Sequence, residues 1–185
     1  MWPGGSAAVS GLRRVIVGVS GSPASVAALR VGADHARRDD VPLLAVHAWV
    51  PPGGDLPERR WPSPELRTVS KKAALELLKG AIESAWAGHP GDVHVEHVIA
   101  RGQAQHVLTD IANRGDDLLV IGAGARGVAR LWRGQVARGC LAHARCSVLA
   151  VPPPAFAGGR RPFRQRVLTA DQVLRDLEKL GPLSG

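Results

Sequence analysis

Asp116-Asp117-Leu118-Leu119-Val120-Ile121-Gly122-Ala123-Gly124-Ala125-Arg126-Gly127, running on to Gly134-Gln135-Val136, is the stretch whose reading decides the fold. An apolar run comes first, then a glycine-bearing loop, then the start of a helix. Strand, glycine turn and helix N-terminus in that order aim unpaired backbone N–H groups at an anion such as phosphate.

Outward from that stretch the chain alternates strand-like and helix-like segments. Arg14–Val19 is a short β-branched run, apolar on both faces as a central parallel strand requires. Ser20-Gly21-Ser22-Pro23 breaks it, with Ser22 placed to cap a helix and Pro23 at its first position. That helix carries Val26, Leu29, Ala33 and Ala36 on one face. Val41–Trp49 reads as the second strand. A proline-rich connection from Pro51 to Pro64 follows, and then a long helix with Leu66, Val69, Leu75, Leu78, Ile82 and Trp86 inward. Asp92–Ala100 is the third strand, with Val93, Val95 and His97 assigned to one face. Gly102 opens a helix with a stripe of Ala104, Val107, Leu108, Ile111 and Ala112, and Gly115 is placed as its left-handed end residue. Leu118–Ile121, a helix over Gln135–Ala144 and an edge strand over Ser147–Val151 complete the pattern.

Strands and helices alternating at this length predict a three-layer, doubly wound α/β fold of the Rossmann-like kind, a five-stranded parallel sheet in the order 3-2-1-4-5. The winding reverses between the first and fourth strands. Their C-terminal ends, the Ser20-Gly21-Ser22 turn and the Gly122 loop, then share the crevice where such sheets take ligands. The domain covers 12–153, after a flexible leader at 1–11. A basic linker and an amphipathic helix (Val173, Leu174, Leu177, Leu180) occupy 154–185, with Thr169 and Gln172 as its capping box.

The 185 residues are 45% hydrophobic and 22% charged, a globular balance long enough for one real core. No acidic residue lies between Asp117 and Asp171, where nine arginines do, so this half attracts anions. Basic motifs interleaved with aromatics are missing, which argues against nucleic acid. Two cysteines, Cys140 and Cys146, give neither a disulfide framework nor a zinc pattern. No segment has the length and apolarity of a membrane span, and the expectation is a cytoplasmic protein. His94, His97 and His106 do not share a helix face, so no metal site is expected. His47 is assigned a structural role. Ser20, Ser22 and Ser25 have no His–Asp pair placed to activate them, so no catalytic residue is assigned.

A phosphate-binding P-loop needs a Lys that the glycine loop lacks. Gly122-x-Gly124-x-x-Gly127 satisfies a dinucleotide fingerprint, but the acidic residue expected ~20 positions later is missing. The remaining reading is the longer loop Gly122-x-Gly124-x9-Gly134-Gln135. Together with Val15–Ser22, Leu43–Trp49 and Ala144–Val151, it resembles the universal stress protein family, whose pattern is G-x2-G-x9-G-[ST] between a strand and a helix. The resemblance spans about residues 13–152.

It implies an adenine nucleotide, ATP or AMP, in the crevice. Gly122 would lie near the ribose. Gly124, Gly134 and the N–H groups of Gln135 and Val136 would lie near the phosphates, with Arg126 in support and the Ala48 backbone at the adenine edge. The Ser20-Gly21-Ser22 turn would line the other wall. The resemblance also implies a homodimer through the last strand. Three positions depart from the family pattern. Ser20 stands where the family has an acidic residue, the first glycine gap is one residue shorter, and Gln135 replaces the terminal hydroxyl residue. Each such hydrogen bond is worth about 1–3 kcal/mol. Two readings therefore stand side by side: a nucleotide-holding stress-response module, and a divergent member that binds no nucleotide and acts as a dimeric protein-interaction module.

Overall fold

The computed structural model describes residues 11–54, 60, 62–86, 91–123 and 135–154. Five strands and four helices follow one another: β1 (Arg14–Gly18), α1 (Pro23–Asp39), β2 (Leu43–Trp49), α2 (Pro64–Trp86), β3 (Val95–Arg101), α3 (Ala104–Ile111), β4 (Asp117–Gly122), α4 (Gln135–His143) and β5 (Ser147–Val151). All neighbouring strands are parallel, and the order across the sheet is β3-β2-β1-β4-β5. This is the order expected from the alternation. The leader, Gly124, Arg126, Gly134, Trp132 and the Thr169–Leu180 stripe lie outside the described residues.

The central strands are apolar on both faces because both faces are covered. On one face Val15, Val17, Leu43, Ala45 and Val120 pack against Ala28, Leu29 and Ala33 of α1 and Leu78, Ala81 and Ile82 of α2. On the other, Ile16, Leu44, Val46, Leu119 and Ile121 pack against Val107 and Leu108 of α3 and Cys140 of α4. Period-2 alternation puts successive residues of one strand into two separate cores.

Helix α1 starts where the sequence says it should. Ser22 is its N-cap in extended backbone, its hydroxyl accepts from the Ser25 N–H, and Pro23 occupies the first turn. It ends at Asp40, held left-handed at φ 52°, whose N–H returns to the Ala36 carbonyl. The Arg30 side chain of α1 donates to the Ser84 and Ala85 carbonyls, closing the last turn of α2.

Three expectations need correction. In α2 the fully buried residues are Ala74, Leu78, Ala81, Ile82 and Ala85, whereas Leu66, Val69, Leu75 and Trp86 are half-buried. The small alanines let α2 lie close to α1, and the larger side chains spread at the margins. The third strand begins at Val95, and His97 is exposed rather than inward, because β3 is an edge strand whose cover is incomplete. Gly115 is not a left-handed cap. Helix α3 closes at Ala112 (φ −85°), and the Arg14 guanidinium donates to the Ile111 carbonyl at 3.0 Å.

That arginine belongs to an ion pair at the N-terminal edge of the sheet. Arg14 and Asp117 are register partners at the starts of β1 and β4. Arg14 Nε and Nη2 donate to the two Asp117 oxygens at 2.8 and 2.9 Å, and the Arg114 N–H adds a third bond at 3.1 Å. The Asp117 side chain is fully buried and that of Arg14 is 21% exposed. The bond to Asp117 pushes the Arg14 pKa above its ordinary value.

Candidate functional site

The strand order puts the expected crevice at the opposite edge of the sheet, at the C-terminal ends of β1 and β4. β1 ends at Gly18, but Val19 still donates its N–H to the Val46 carbonyl of β2 at 2.8 Å. The chain then turns through exposed Ser20, Gly21 at φ +73° and Ser22 into α1. A positive φ is costless for glycine alone, so the turn needs Gly21 at that position.

The hydroxyls of Ser20 and Ser22 lie 3.0 Å apart. Buried Ser25 donates its own hydroxyl to the Ser22 carbonyl at 2.9 Å. Ser22 and Ser25 thus spend their side chains on shaping the helix start, the turn and cap duty assigned from the sequence. Ser20 is exposed beside them.

β4 reaches the same place from the other side. A Cβ on Gly122 would stand 2.8 Å from the Ala24 carbonyl carbon and 2.8 Å from the Ser25 N. Those are backbone atoms of the first turn of α1, so only a residue without a side chain lets β4 abut that helix start. Ala123, the next residue, donates its N–H to the Val151 carbonyl at the end of β5. The C-terminal ends of β1, β4 and β5 are therefore stitched into one rim, with the positive end of the α1 dipole opening onto it.

Of the sequence-predicted site residues, Ser20, Gly21 and Ser22 form the turn into α1, and Gly122 abuts the first turn of that helix at Ala24 and Ser25. Ala48 lies on β2, paired with Ala100 of β3 and half-buried against the second core. Gln135 is the exposed first residue of α4, and Val136 is half-buried, packed against the second core. Gly124, Arg126 and Gly134 fall outside the described residues.

The structural role expected of His47 takes a definite form. His47 of β2 places Nδ1 2.8 Å from the Val19 carbonyl, one residue before Ser20. Burial lowers its pKa below the ordinary histidine value, outweighing the bond to that carbonyl. The signal in the sequence was a polar residue inside an otherwise apolar strand, two residues before its end.

The cysteines are both free thiols. Burial pushes Cys140 up to about 11, and raises Cys146 also. Among the described residues no group of three or more His, Cys, Asp or Glu could hold a metal ion, and no helix is long and apolar enough to cross a membrane.

The model of the universal stress protein family matches residues 11–152. The chain is similar to universal stress protein Rv1996 of Mycobacterium tuberculosis, 32% identical over 114 residues, covering 61% of this chain and 35% of that protein. It is similar also to universal stress protein Rv2005c of the same organism, 31% identical over 136 residues, covering 73% and 44%. The chain thus spans less than half the length of these curated relatives.

Among solved structures, the universal stress protein UspA from Lactobacillus plantarum superposes with a TM-score of 0.59 at 23% identity, covering 77% of this chain and 99% of that one. A family protein from Arabidopsis thaliana with AMP bound gives a TM-score of 0.50 at 22% identity, covering 81% and 98%. At these identities the likeness is one of fold.

Proposed function

The chain belongs to the universal stress protein family, and on that footing we propose that it is a non-enzymatic stress-response module that holds an adenine nucleotide, ATP or AMP. The nucleotide would sit between the Ser20-Gly21-Ser22 turn and the loop that Gly122 begins. The observation that carries this reading is the contact of Gly122 with the first turn of α1, which sets two backbone segments side by side at the point where the sheet reverses. The AMP-bound relative from Arabidopsis thaliana supports the ligand class. Ser22 and Ser25 have their hydroxyls committed to the helix start, so the reading is of binding rather than turnover. Gly124, Gly134, Gln135 and Val136 would face the phosphates, with Arg126 in support and Ala48 at the base. A cytoplasmic location is part of the same proposal.

Calorimetric titration of the full chain with AMP and with ATP tests it. The expected result is saturable heat that Gly122→Ala diminishes, because the added Cβ must push β4 and α1 apart. Ser20→Asp is expected to tighten binding about tenfold or more, since a hydrogen bond to a charged group is worth about 1.5–3 kcal/mol. Absence of heat from both nucleotides up to millimolar concentration would sink the reading.

One observation favours the second reading, a dimeric interaction module. β5 is an edge strand, paired among the described residues with β4 alone, and an open edge is a template for another chain. A second copy added there would make a homodimer through the last strand. Sedimentation of the wild type and of Ala150→Lys decides this. A dimer that the lysine dissociates supports it, and a monomer at every concentration removes it.

A further inference from the structure

Val19 is the last residue before the turn that lines the crevice, and β2 holds it at both of its polar groups. Its N–H goes to the Val46 carbonyl at 2.8 Å, and its carbonyl meets His47 Nδ1 at 2.8 Å. A carbonyl oxygen can only accept, so Nδ1 must carry the proton, and in the neutral ring Nε2 is then the bare, accepting nitrogen. Burial of the ring works in the same direction, because it disfavours the imidazolium.

The far end of the turn is fixed separately, by the Ser22 hydroxyl on the Ser25 N–H. Between these anchors Ser20 is exposed, and a Cβ on Gly21 would meet the Leu77 side chain of α2 at ordinary van der Waals distance. His47 at the entry and Ser22 at the exit thus each hold one end of the turn that carries Ser20.

We propose that His47 is a positioning residue for the candidate nucleotide site: its Nδ1–H bond to the Val19 carbonyl fixes where the Ser20-Gly21-Ser22 turn leaves the sheet. The ligand side of this inference rests on the nucleotide reading, whereas the hold on the turn does not.

The experiment takes the full chain as wild type, His47→Leu and His47→Asn. Asparagine keeps an N–H donor at the same number of bonds from the backbone as Nδ1, and leucine keeps bulk without a donor. In nucleotide-free protein, His47→Leu is expected to speed amide exchange of Val19, whose N–H goes to the Val46 carbonyl at the entry to the turn, at least about fivefold relative to Leu119 and Val120 of β4, from loss of one buried hydrogen bond. His47→Asn is expected to restore most of the protection. Nitrogen-15 spectra of the wild-type ring should show Nδ1 protonated and Nε2 bare, a signature independent of any variant. AMP affinity should fall in His47→Leu and recover in His47→Asn.

Exchange at Val19 that changes only in step with Leu119, or a wild-type ring protonated on Nε2 alone, overturns the proposal. If the wild type takes up no AMP, the nucleotide reading falls by itself, and the exchange comparison still decides what His47 does.

Discussion

Removing the Asp117 carboxylate should cost this fold more than any substitution at the crevice. Asp117 is fully buried and accepts three hydrogen bonds, two from Arg14 and one from the Arg114 N–H. Breaking a buried pair by deleting one partner costs about 3–5 kcal/mol, because the other charge is left without compensation. Arg14 is 21% exposed and keeps its bond to the Ile111 carbonyl, so it recovers some hydration. That puts Asp117→Ala near the lower end, about 3 kcal/mol.

Asp117→Asn keeps the shape and some acceptor capacity, and should lose about 1.5–3 kcal/mol. Arg14→Met is expected to be at least as damaging as Asp117→Ala, since it strands a carboxylate that has no access to water. The double change Arg14→Met with Asp117→Leu should return most of the loss, as buried pairs replaced by apolar groups often do. Urea unfolding of the four variants, with unchanged slopes, measures this. Single variants within about 0.5 kcal/mol of wild type, a value typical of indifferent surface sites, would refute the assignment of the pair as the anchor of β1 to β4.

Four further outcomes follow from other contacts. Gly32→Ala should destabilise by about 1 kcal/mol or more, because its Cβ would stand 2.5 Å from Val17 Cγ2 and overpacking exceeds the gain in helix propensity. Gly80→Ala, with open space around it, should stabilise by up to about 1 kcal/mol, and equal signs in thermal melts would contradict the packing. His47 has its pKa lowered by burial, so the unfolded state takes up its proton first. Stability from this group is complete above the ordinary value of about 6.5 and declines as pH falls below it, towards the depressed folded value. An NMR titration midpoint for His47 at or above the ordinary value contradicts this. Cys140, pushed up to about 11 by burial, should resist a thiol reagent in neutral buffer until the protein is unfolded. Prompt modification of Cys140 in the native state would show that its cover opens.

The topology was legible because the central strands are apolar on both faces and the helices show a clean 3.6-residue stripe. Val15–Val17 and Leu118–Ile121 admit no other place than the middle of a covered sheet. The Ser22–Pro23 helix start was legible too, since cap and proline rules are local. Burial at the margins was not. His97 follows the alternation of an inward residue, yet the edge position of β3 leaves it in water. Alanines carried the inner face of α2, where the larger Leu66 and Trp86 drew the eye.

The Arg14–Asp117 pair was missed although both residues sit at strand starts that the derived order makes neighbours. A charged residue beside an apolar run reads as a boundary until the register across the sheet is known. His47 was seen, but its partner is a backbone carbonyl, which leaves no mark in a sequence.

The Arg14–Asp117 pair also bears on how the crevice can change over time. Arg14 precedes Ser20 by six residues of nearly extended chain, about 20 Å, and changes so far apart add independently. The fold is bolted at one rim of the sheet, while the ligand would be met at the other. Ser20 and Gln135 can therefore drift without endangering the fold that carries them. A scaffold arranged in this way can shed, retain or exchange a ligand through single substitutions, and it remains a folded protein on which selection can act at every step.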